Sequence, residues 1–495
     1  MNRRRFCKMW LTQGLISVLL TGLVLPAQAA DFPPPSTYIP TLTEVEKHKS
    51  HYEDPRPLLK DYPLKQILPP QVYNALVYDV DAMKKEWSEA IGFKAPDVVG
   101  KIAPEIKPGK YSYKDKDKYP GLKELMIPLH YNDRFKPGAP PYAGNFPEME
   151  VIPTQQYYWA LPVAEATRKN ADKTKLDDKG YINWKTWQGG YPFPRPSGKF
   201  KAQQIMYNVE KRALQFNGDF FMWGRFDGVN FDGLTKTLKR DFEGIYDVKH
   251  VALAGRVALP PHGWFDKRAE ERGEARGFIS KFYGPRDVYG TVASAMYYLD
   301  PKTVDQQMMF IPSLRRVRKL SATDTQDPVM GQDQIYDDQE GWLQKLSPTK
   351  YPYKFELLAE REFLVPAPTV DGSGYVSPKH NWEFRNIKFE RRPMYVVQLT
   401  QTDPNYVYGK RIFYIDMETF NYVHIENYDQ KGRLYRTFDN GYGFHPEMGY
   451  FSWSASPILN TDRIDHHSTV QTIYVVPALW TRGDISMGGV VKLGK

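Results

Sequence analysis

The sequence predicts a mainly β protein. Its 495 residues hold 34 Tyr, 26 Phe and 11 Trp beside 40 Pro and 36 Gly, and aromatic-rich segments punctuated by turn residues are the mark of short strands. From about Gly218 onward such segments follow one another with hairpin turns between them, and consecutive antiparallel hairpins build a curved sheet or an open barrel. No internal repeat or long low-complexity linker interrupts that stretch.

The first element stands outside that fold. MNRRRFCKMWLTQGLISVLLTGLVLPAQAA sets Arg3, Arg4, Arg5 and Lys8 before an apolar run from Met9 to Leu25 and then Ala27-Gln28-Ala29. This is the layout of a cleavable signal peptide over residues 1–29. The run is too short and too polar for a retained transmembrane helix, and no later stretch is apolar enough to span a bilayer. The mature chain is therefore expected to be soluble in a Gram-negative periplasm, with no transmembrane segment. The single cysteine, Cys7, leaves with the peptide, so neither a disulfide nor a thiol nucleophile is available afterwards. Residues 30–495 are long enough to hold together by core burial alone. Cleavage removes four cations and no acid, taking the formal net charge from +9 to +5. That balance argues against a nucleic-acid partner and leaves an anionic lipid or a negatively charged protein surface open.

Residues 30–140 read as a Pro-, Lys- and Tyr-rich amino-terminal extension packed on the body, with one helix near Pro70–Ala90 and a lysine-heavy loop, KPGKYSYKDKDKYPG. Residues 141–495 read as the main domain, which opens with turn-rich text and an amphipathic helix, KAQQIMYNVEKRAL. VYGTVASAMYYLDPKTVDQQMMFIP reads as a hairpin turning at Asp300-Pro301-Lys302, because proline presets a turn and is kept out of a central ladder. NYVYGKRIFYIDMETFNYVHIENYDQKGRLYRTF reads as a three-strand meander that turns at Asp416–Thr419 and again at Asp429–Gly432. In its first strand Arg411, Phe413 and Ile415 share one face and Ile412, Tyr414 and Asp416 the other, so both faces carry apolar groups.

Several of these segments carry a family resemblance. GGYPFPRPSG before a helix with Tyr207-Asn208, YYLDPK before FIPSLRRVRKLS and the acid-rich GQDQIYDDQEG, RRPMYVVQL before YVYGKRIFYID, and YDQKGRLYR together resemble the family catalogued as domain of unknown function 1329. That family is grouped with the LolA-like outer-membrane lipoprotein-sorting proteins, and the resemblance spans residues 140 to 480 or so. It implies a strongly curved, mostly antiparallel sheet forming an open half-barrel, with an apolar interior and a helical lid over its mouth. It also implies a periplasmic setting beside export systems for hydrophobic molecules, and no catalytic mechanism.

The segment FIPSLRRVRKLS raises the sharpest question about function. A strand reading puts Arg315, Val317 and Lys319 on one face and Leu314, Arg316 and Arg318 on the other, so cations stand on both sides of the sheet. At least one is expected over the concave side or at its rim, where it needs a partner. Asp324, Asp327, Asp333, Asp337, Asp338 and Glu340 follow directly. In one reading these acids pair with the arginines and fix the loop over the sheet. In the other, Arg315, Arg316 and Arg318, with Lys410 and Arg411, hold a ligand's carboxylate or phosphate at the cavity mouth, where guanidinium bonds oxyanions bidentately. Docking of a partner protein is a third reading.

Tyr297, Met308, Phe310, Tyr408, Phe413 and Tyr414 are the cavity-lining candidates, with ordinary core packing as their alternative. A hydrocarbon tail gains about 0.8 kcal/mol per buried methylene, so a dozen supply roughly 10 kcal/mol before ordering costs. No GxSxG, HExxH, GxxxxGK[ST] or GxGxxG pattern occurs, and no catalytic residue is assigned. His48 with His51, and Asp462, Asp465, His466 and His467, lack the spacing and third ligand of a zinc site, so neither a metal nor another cofactor is expected. The reading is a non-enzymatic periplasmic carrier or chaperone for a hydrophobic small molecule or a lipidated protein, such as a lipoprotein acyl chain. Its partner would be an envelope transporter or an outer-membrane protein. The alternative is an accessory protein of an envelope export complex. An enzyme acting on an envelope lipid or glycan would need a converging polar cluster in the cavity.

Overall fold

Fifteen strands join into one sheet, and the chain meets them in this order: β1 (Gly109–Ser112), β2 (Glu148–Val151), β3 (Asp219–Asp232), β4 (Thr237–Ala252), β5 (Glu274–Gly284), β6 (Val292–Tyr298), β7 (Gln306–Ile311), β8 (Arg316–Lys319), β9 (Tyr353–Pro366), β10 (Lys388–Gln401), β11 (Lys410–Asp416), β12 (Tyr422–Tyr428), β13 (Leu434–Asn440), β14 (Ile458–Asp462) and β15 (His467–Pro477). The computed structural model describes residues 32–39, 64–138, 142–212, 219–321, 324–341, 345–368, 374–452, 458–486 and 488–489. The expected signal peptide and the His48–His51 pair lie outside them. All the described residues fall in one unit, Phe32–Lys495.

In space the strands run β1-β2-β10-β11-β12-β13-β14-β15-β3-β4-β5-β6-β7-β8, with β9 pairing along β10. A short parallel contact of Lys388 and Phe389 with Glu150 and Val151 joins β2 to β10. The other pairings in this sheet are antiparallel. The last strand, β15, returns beside β3 over eleven paired residues and so stitches the meander to the earlier hairpins. β1 and β8 end the order, so the described strands make a large mixed sheet and not a closed barrel.

Local chemistry explains the elements. All three expected turns form: the Asp300 carboxylate accepts from Lys302 N at 3.0 Å and Thr303 Oγ1 at 3.1 Å, Asp416 Oδ1 accepts from the backbone N–H of Glu418 at 2.9 Å and Thr419 at 2.8 Å, and Asp429 Oδ1 accepts from the backbone N–H of Lys431 and Arg433 at 2.9 Å each. Between β3 and β4, glycines face aromatic rings across the ladder: Gly224 opposite Tyr246, Gly228 opposite Phe242 and Gly244 opposite Phe226. A Cβ at any of the three would lie within 2.1 Å of the opposing ring, so only glycine lets the ring lie flat over the strand. The expected helix over 70–90 is instead two, α1 (Pro70–Leu76) and α2 (Val80–Ile91). Val77 is extended, and Asp79 caps the second helix by accepting from Ala82 N at 2.7 Å. An aspartate that can cap stops the preceding helix and starts another.

Side-chain alternation sorts the core into two faces. Val397 and Leu399 of β10, Phe413 of β11 and Phe278 of β5 join a front-face core with α2, α3 (Leu161–Asn170) and α4 (Lys201–Lys211). Met394 and Val396 point the other way, into a back-face cluster with Ile127, Phe363 and Tyr414. Beside it Leu122, Leu125, Met126, Phe135 and Phe146 cover Val229, Leu459 and Val470. The amino-terminal segment is tied down by Trp87 Nε1 donating to Glu418 O at 2.8 Å and Ala95 N donating to Glu418 Oε1 at 2.9 Å. It thus serves both faces, with α2 at the front and residues 102–138 behind.

Candidate functional site

The front face holds a cavity between the two halves of the sheet. Met222, Tyr246, Val248, Phe278 and Phe282 from β3–β5 form one wall, and Ile458, Ile473, Asn440, Asn460 and Gln471 from β13–β15 the other. Val329, Gln332 and Gln334 close it from the loop that follows β8. About 60 Å³ is open to the centre of a water-sized sphere. Its placement follows from β15 pairing with β3, which brings two chain segments some 200 residues apart to one surface.

The covering loop is the acid-rich stretch, and polar contacts fasten it. Asp333 N donates to Thr469 Oγ1 at 2.9 Å, and the Asp333 carboxylate accepts from Thr469 at 2.8 Å and meets His467 Nδ1 at 2.7 Å. Asp337 accepts from Tyr351 OH at 2.5 Å and Tyr406 OH at 3.0 Å. Asp338 accepts from Tyr408 OH at 2.6 Å and Arg411 Nη2 at 2.8 Å, both fully buried. Asn460 Nδ2 donates to Gln334 Oε1 at 3.1 Å. Burial raises the pKa of Asp337 against the opposing pull of Lys350 and the two tyrosines, and it raises that of Asp333 against His467. Burial lowers the His467 pKa, but the Asp333 hydrogen bond and charge, with Asp241, outweigh it and leave it raised. Asp327 is exposed, and the side chains of Asp324 and Glu340 lie outside the described residues.

Acid–base pairing therefore does hold the loop over the sheet, through Arg411 and tyrosines. Arg411 is not a rim residue, because its side chain is fully buried against Asp338. Arg315 does not share a strand face with Val317 either: it sits at φ +50° before β8 begins, in the left-handed region. Arg316 and Arg318 are exposed on β8, opposite Ile311 and Met309 on the same side of the sheet, while Lys319 faces the other way beside Met308. Cations on an end strand also discourage pairing with a foreign strand. From β5, which lines the cavity, β8 is three strand spacings away, about 14 Å. Lys410 is half-buried with Nζ 4.0 Å from the Tyr428 ring centre.

None of the six aromatic and methionine candidates lines the front-face cavity. Tyr297, Tyr408 and Phe413 sit in the front-face core, Tyr408 holding Asp338. Phe310 and Tyr414 point to the back face, with Ile279 and Val292 and with Phe363 and Met394 respectively. Met308 is half-buried on that same back side. Strand parity separates neighbours such as Phe413 and Tyr414 but does not say which face is the front. The Asp462–His467 group does not converge: Asp462 pairs with Arg436 at 3.3 Å and caps the turn to Ile464 and Asp465, and His467 serves Asp333.

A second polar group, missed in the sequence, lies at the back face. His130 and Arg134 belong to a π-helical turn, and both reach Asp439 on β13: His130 Nε2 to Oδ1 at 2.6 Å and Arg134 Nη2 to Oδ2 at 2.5 Å. His424, directly opposite Asp439 on β12, brings Nδ1 to the same Oδ1 at 2.7 Å. Burial opposes the charge on Asp439, yet Arg134 and the two imidazoles hold its pKa well below the usual carboxylate range. Burial lowers the pKa of His130 against the opposing pull of Asp439. His130 Nε2, His424 Nδ1 and an Asp439 oxygen lie within 4.8 Å of one another, which suits metal ligation by spacing alone. Arg134 already neutralises the carboxylate, so a dication there would leave a net positive charge in the core. The arrangement is a buried tie between the amino-terminal segment and the sheet, beside a space of about 40 Å³.

Among solved structures, a domain provisionally named as an outer membrane lipoprotein-sorting protein from Vibrio parahaemolyticus is 18% identical and covers 58% of this chain and 97% of its own, with a TM-score of 0.40. A DUF1329 family protein from Desulfovibrio piger is 14% identical, covering 57% and 97% with a TM-score of 0.38. A LolA superfamily protein from Nitrosomonas europaea is 13% identical, covering 57% and 97% with a TM-score of 0.34. An uncharacterized protein of Pseudomonas aeruginosa is 22% identical over 329 residues, and the match spans 62% of this chain and 65% of that relative. The family model described as protein of unknown function (DUF1329) matches residues 129–474, a span that opens one residue before His130 and closes in β15, and the chain belongs to that family.

Proposed function

We propose that the protein is a non-enzymatic periplasmic carrier that shields a hydrophobic molecule on the front face of its sheet. One observation carries this reading: an apolar-walled cavity bridges both halves of the sheet, closed by a loop whose attachments are polar and can be exchanged for water. A cargo would enter as the loop lifts and its carboxylates and amides are rehydrated, and the loop would then close over it, returning Asp338 to Arg411 and Asp333 to His467. The sheet would act as an open half-barrel, with the loop and the front helices as its lid. Arg315, Arg316 and Arg318, exposed and remote from the cavity, suit docking to a negatively charged envelope partner more than contact with cargo.

The test is native mass spectrometry of protein purified from its own periplasm, followed by denaturing extraction of whatever is released. One defined apolar adduct per chain is the expected result. Repeated empty preparations that also fail to bind the neutral probe N-phenyl-1-naphthylamine would remove the carrier reading and leave an accessory subunit of an export complex.

A further inference from the structure

Resting on the carrier reading, we infer that the cargo is an uncharged amphiphile whose polar part is a hydroxyl or carbonyl group, and not a phospholipid, a fatty-acid anion or another charged lipid. The polar lining of the cavity consists of Ser280, Gln332, Gln334, Asn440, Asn460, Gln471 and the Tyr246 hydroxyl, with no carboxylate, imidazole, amine or guanidinium among them. Charged groups near the cavity stand outside its lining: Arg411 pairs with Asp338 at 2.8 Å, Arg436 with Asp462 at 3.3 Å and His467 with Asp333 at 2.7 Å, while Arg212 and Arg276 lie over the Tyr422 and Tyr297 rings. A carboxylate or phosphate taken inside would lose its water and meet no counter-ion.

The amides are grouped on one side. Asn440, Asn460 and Gln471 come from β13–β15, and Gln332 and Gln334 from the loop above them, whereas β3–β5 contribute chiefly Met222, Tyr246, Val248, Phe278 and Phe282. Tyr246 OH donates to Gln471 Oε1 at 3.0 Å, and Asn460 donates to Gln334, which in turn donates to Gln332 Oε1 at 2.7 Å. An amide offers two donors and a two-lone-pair acceptor, so this strip can pair with either an alcohol or a ketone. A bare hydrocarbon would leave the strip unanswered in a dry cavity. The cavity thus presents an apolar wall to a tail or ring and an amide strip to a neutral polar group.

A matched series tests this: dodecanol, dodecane, dodecanoate and dodecyl phosphate share one tail and differ at one end. Each competes with N-phenyl-1-naphthylamine for the full-length mature protein at pH 8, below its micellar concentration. Dodecanol should displace the probe about tenfold more tightly than either anion and than dodecane, since a single buried unpaired group costs at least that much. Gln471→Leu should erase the advantage of dodecanol over dodecane and leave dodecane binding in place; if that variant does not fold, the wild-type series decides alone. Should dodecanoate or dodecyl phosphate bind as well as dodecanol, the inference falls while the carrier reading stands. Equal binding of dodecane and dodecanol overturns recognition of the polar group with the same consequence. If none of the four displaces the probe and the probe itself does not bind, both fall.

Discussion

Arg411 and Asp338 form a pair with no exposed atoms, 2.8 Å apart, in a site where Tyr408 OH and the Ile335 backbone N–H donate to the carboxylate's other oxygen. Arg411→Met should therefore strand a buried carboxylate and cost about 3–5 kcal/mol in urea denaturation. Adding Asp338→Asn should recover part of that loss, because the two residues are coupled. At the back face, Asp439→Asn should cost a similar 3–5 kcal/mol near neutrality. The sign with pH follows from the depressed Asp439 pKa: its contribution is complete above the ordinary 3.8 and disappears as pH falls through the lower folded value. A stability gap between wild type and Asp439→Asn that persists unchanged in acid would rule out the ionised tie. Neither pair was legible in the chain. Counting outward from the Tyr428–Leu434 pair sets His424 opposite Phe438, and only a bulge at Asn427/Tyr428 shifts the register so that Asp439 faces it. His130 lies 309 residues from Asp439 and has no local signal pointing there.

The loop over 324–341 is the element whose behaviour matters most. Its contact at Asp333 involves two groups, His467 and Asp333, whose pKa values are both raised, while Asp241 and Arg436 supply the surrounding charge. His467 holds its proton more tightly in the folded state, so its contribution is complete below the ordinary imidazole value of 6.5 and is lost as pH rises through the raised value, whereas the raised Asp333 pKa places that group's own loss in a separate, lower window beginning above 3.8. Hydrogen exchange at the Asp333 amide, corrected for intrinsic rate, should accelerate upward of pH 6.5, and His467→Asn should remove the step; a flat profile in wild type would refute the latch. Elements with a local signal were readable in advance: each of the three turns carries an aspartate that accepts backbone N–H groups, and the meander follows alternation of apolar positions. The split between α1 and α2 was hidden because the spacing of apolar residues continues across Asp79, and only the cap reveals the break. Pairing of the loop's acids with the preceding arginines was one of three readings of the segment, but the arginine that meets Asp338 lies 73 positions on, in a strand expected to place that side chain at the rim.

At the scale of the molecule, the sheet is dressed on both sides by one amino-terminal segment. Trp87, fully buried at the front, anchors that segment through its indole N–H, so Trp87→Ala should cost about 3–5 kcal/mol and loosen residues 80–98 in limited proteolysis. Composition marks residues 30–140 as a Pro-, Lys- and Tyr-rich stretch. Its running behind the sheet, laying β1 beside β2 and sending His130 to β13, was not, because each of those contacts is long in sequence and made of ordinary residues. One consequence concerns the loop that closes the cavity. Because it lies closed over that space, only chains with the loop lifted can load, and the apparent affinity is the intrinsic one reduced by that fraction. Tight intrinsic contact then yields modest net retention, and a receiving protein that holds the loop open can empty the carrier without an external energy source.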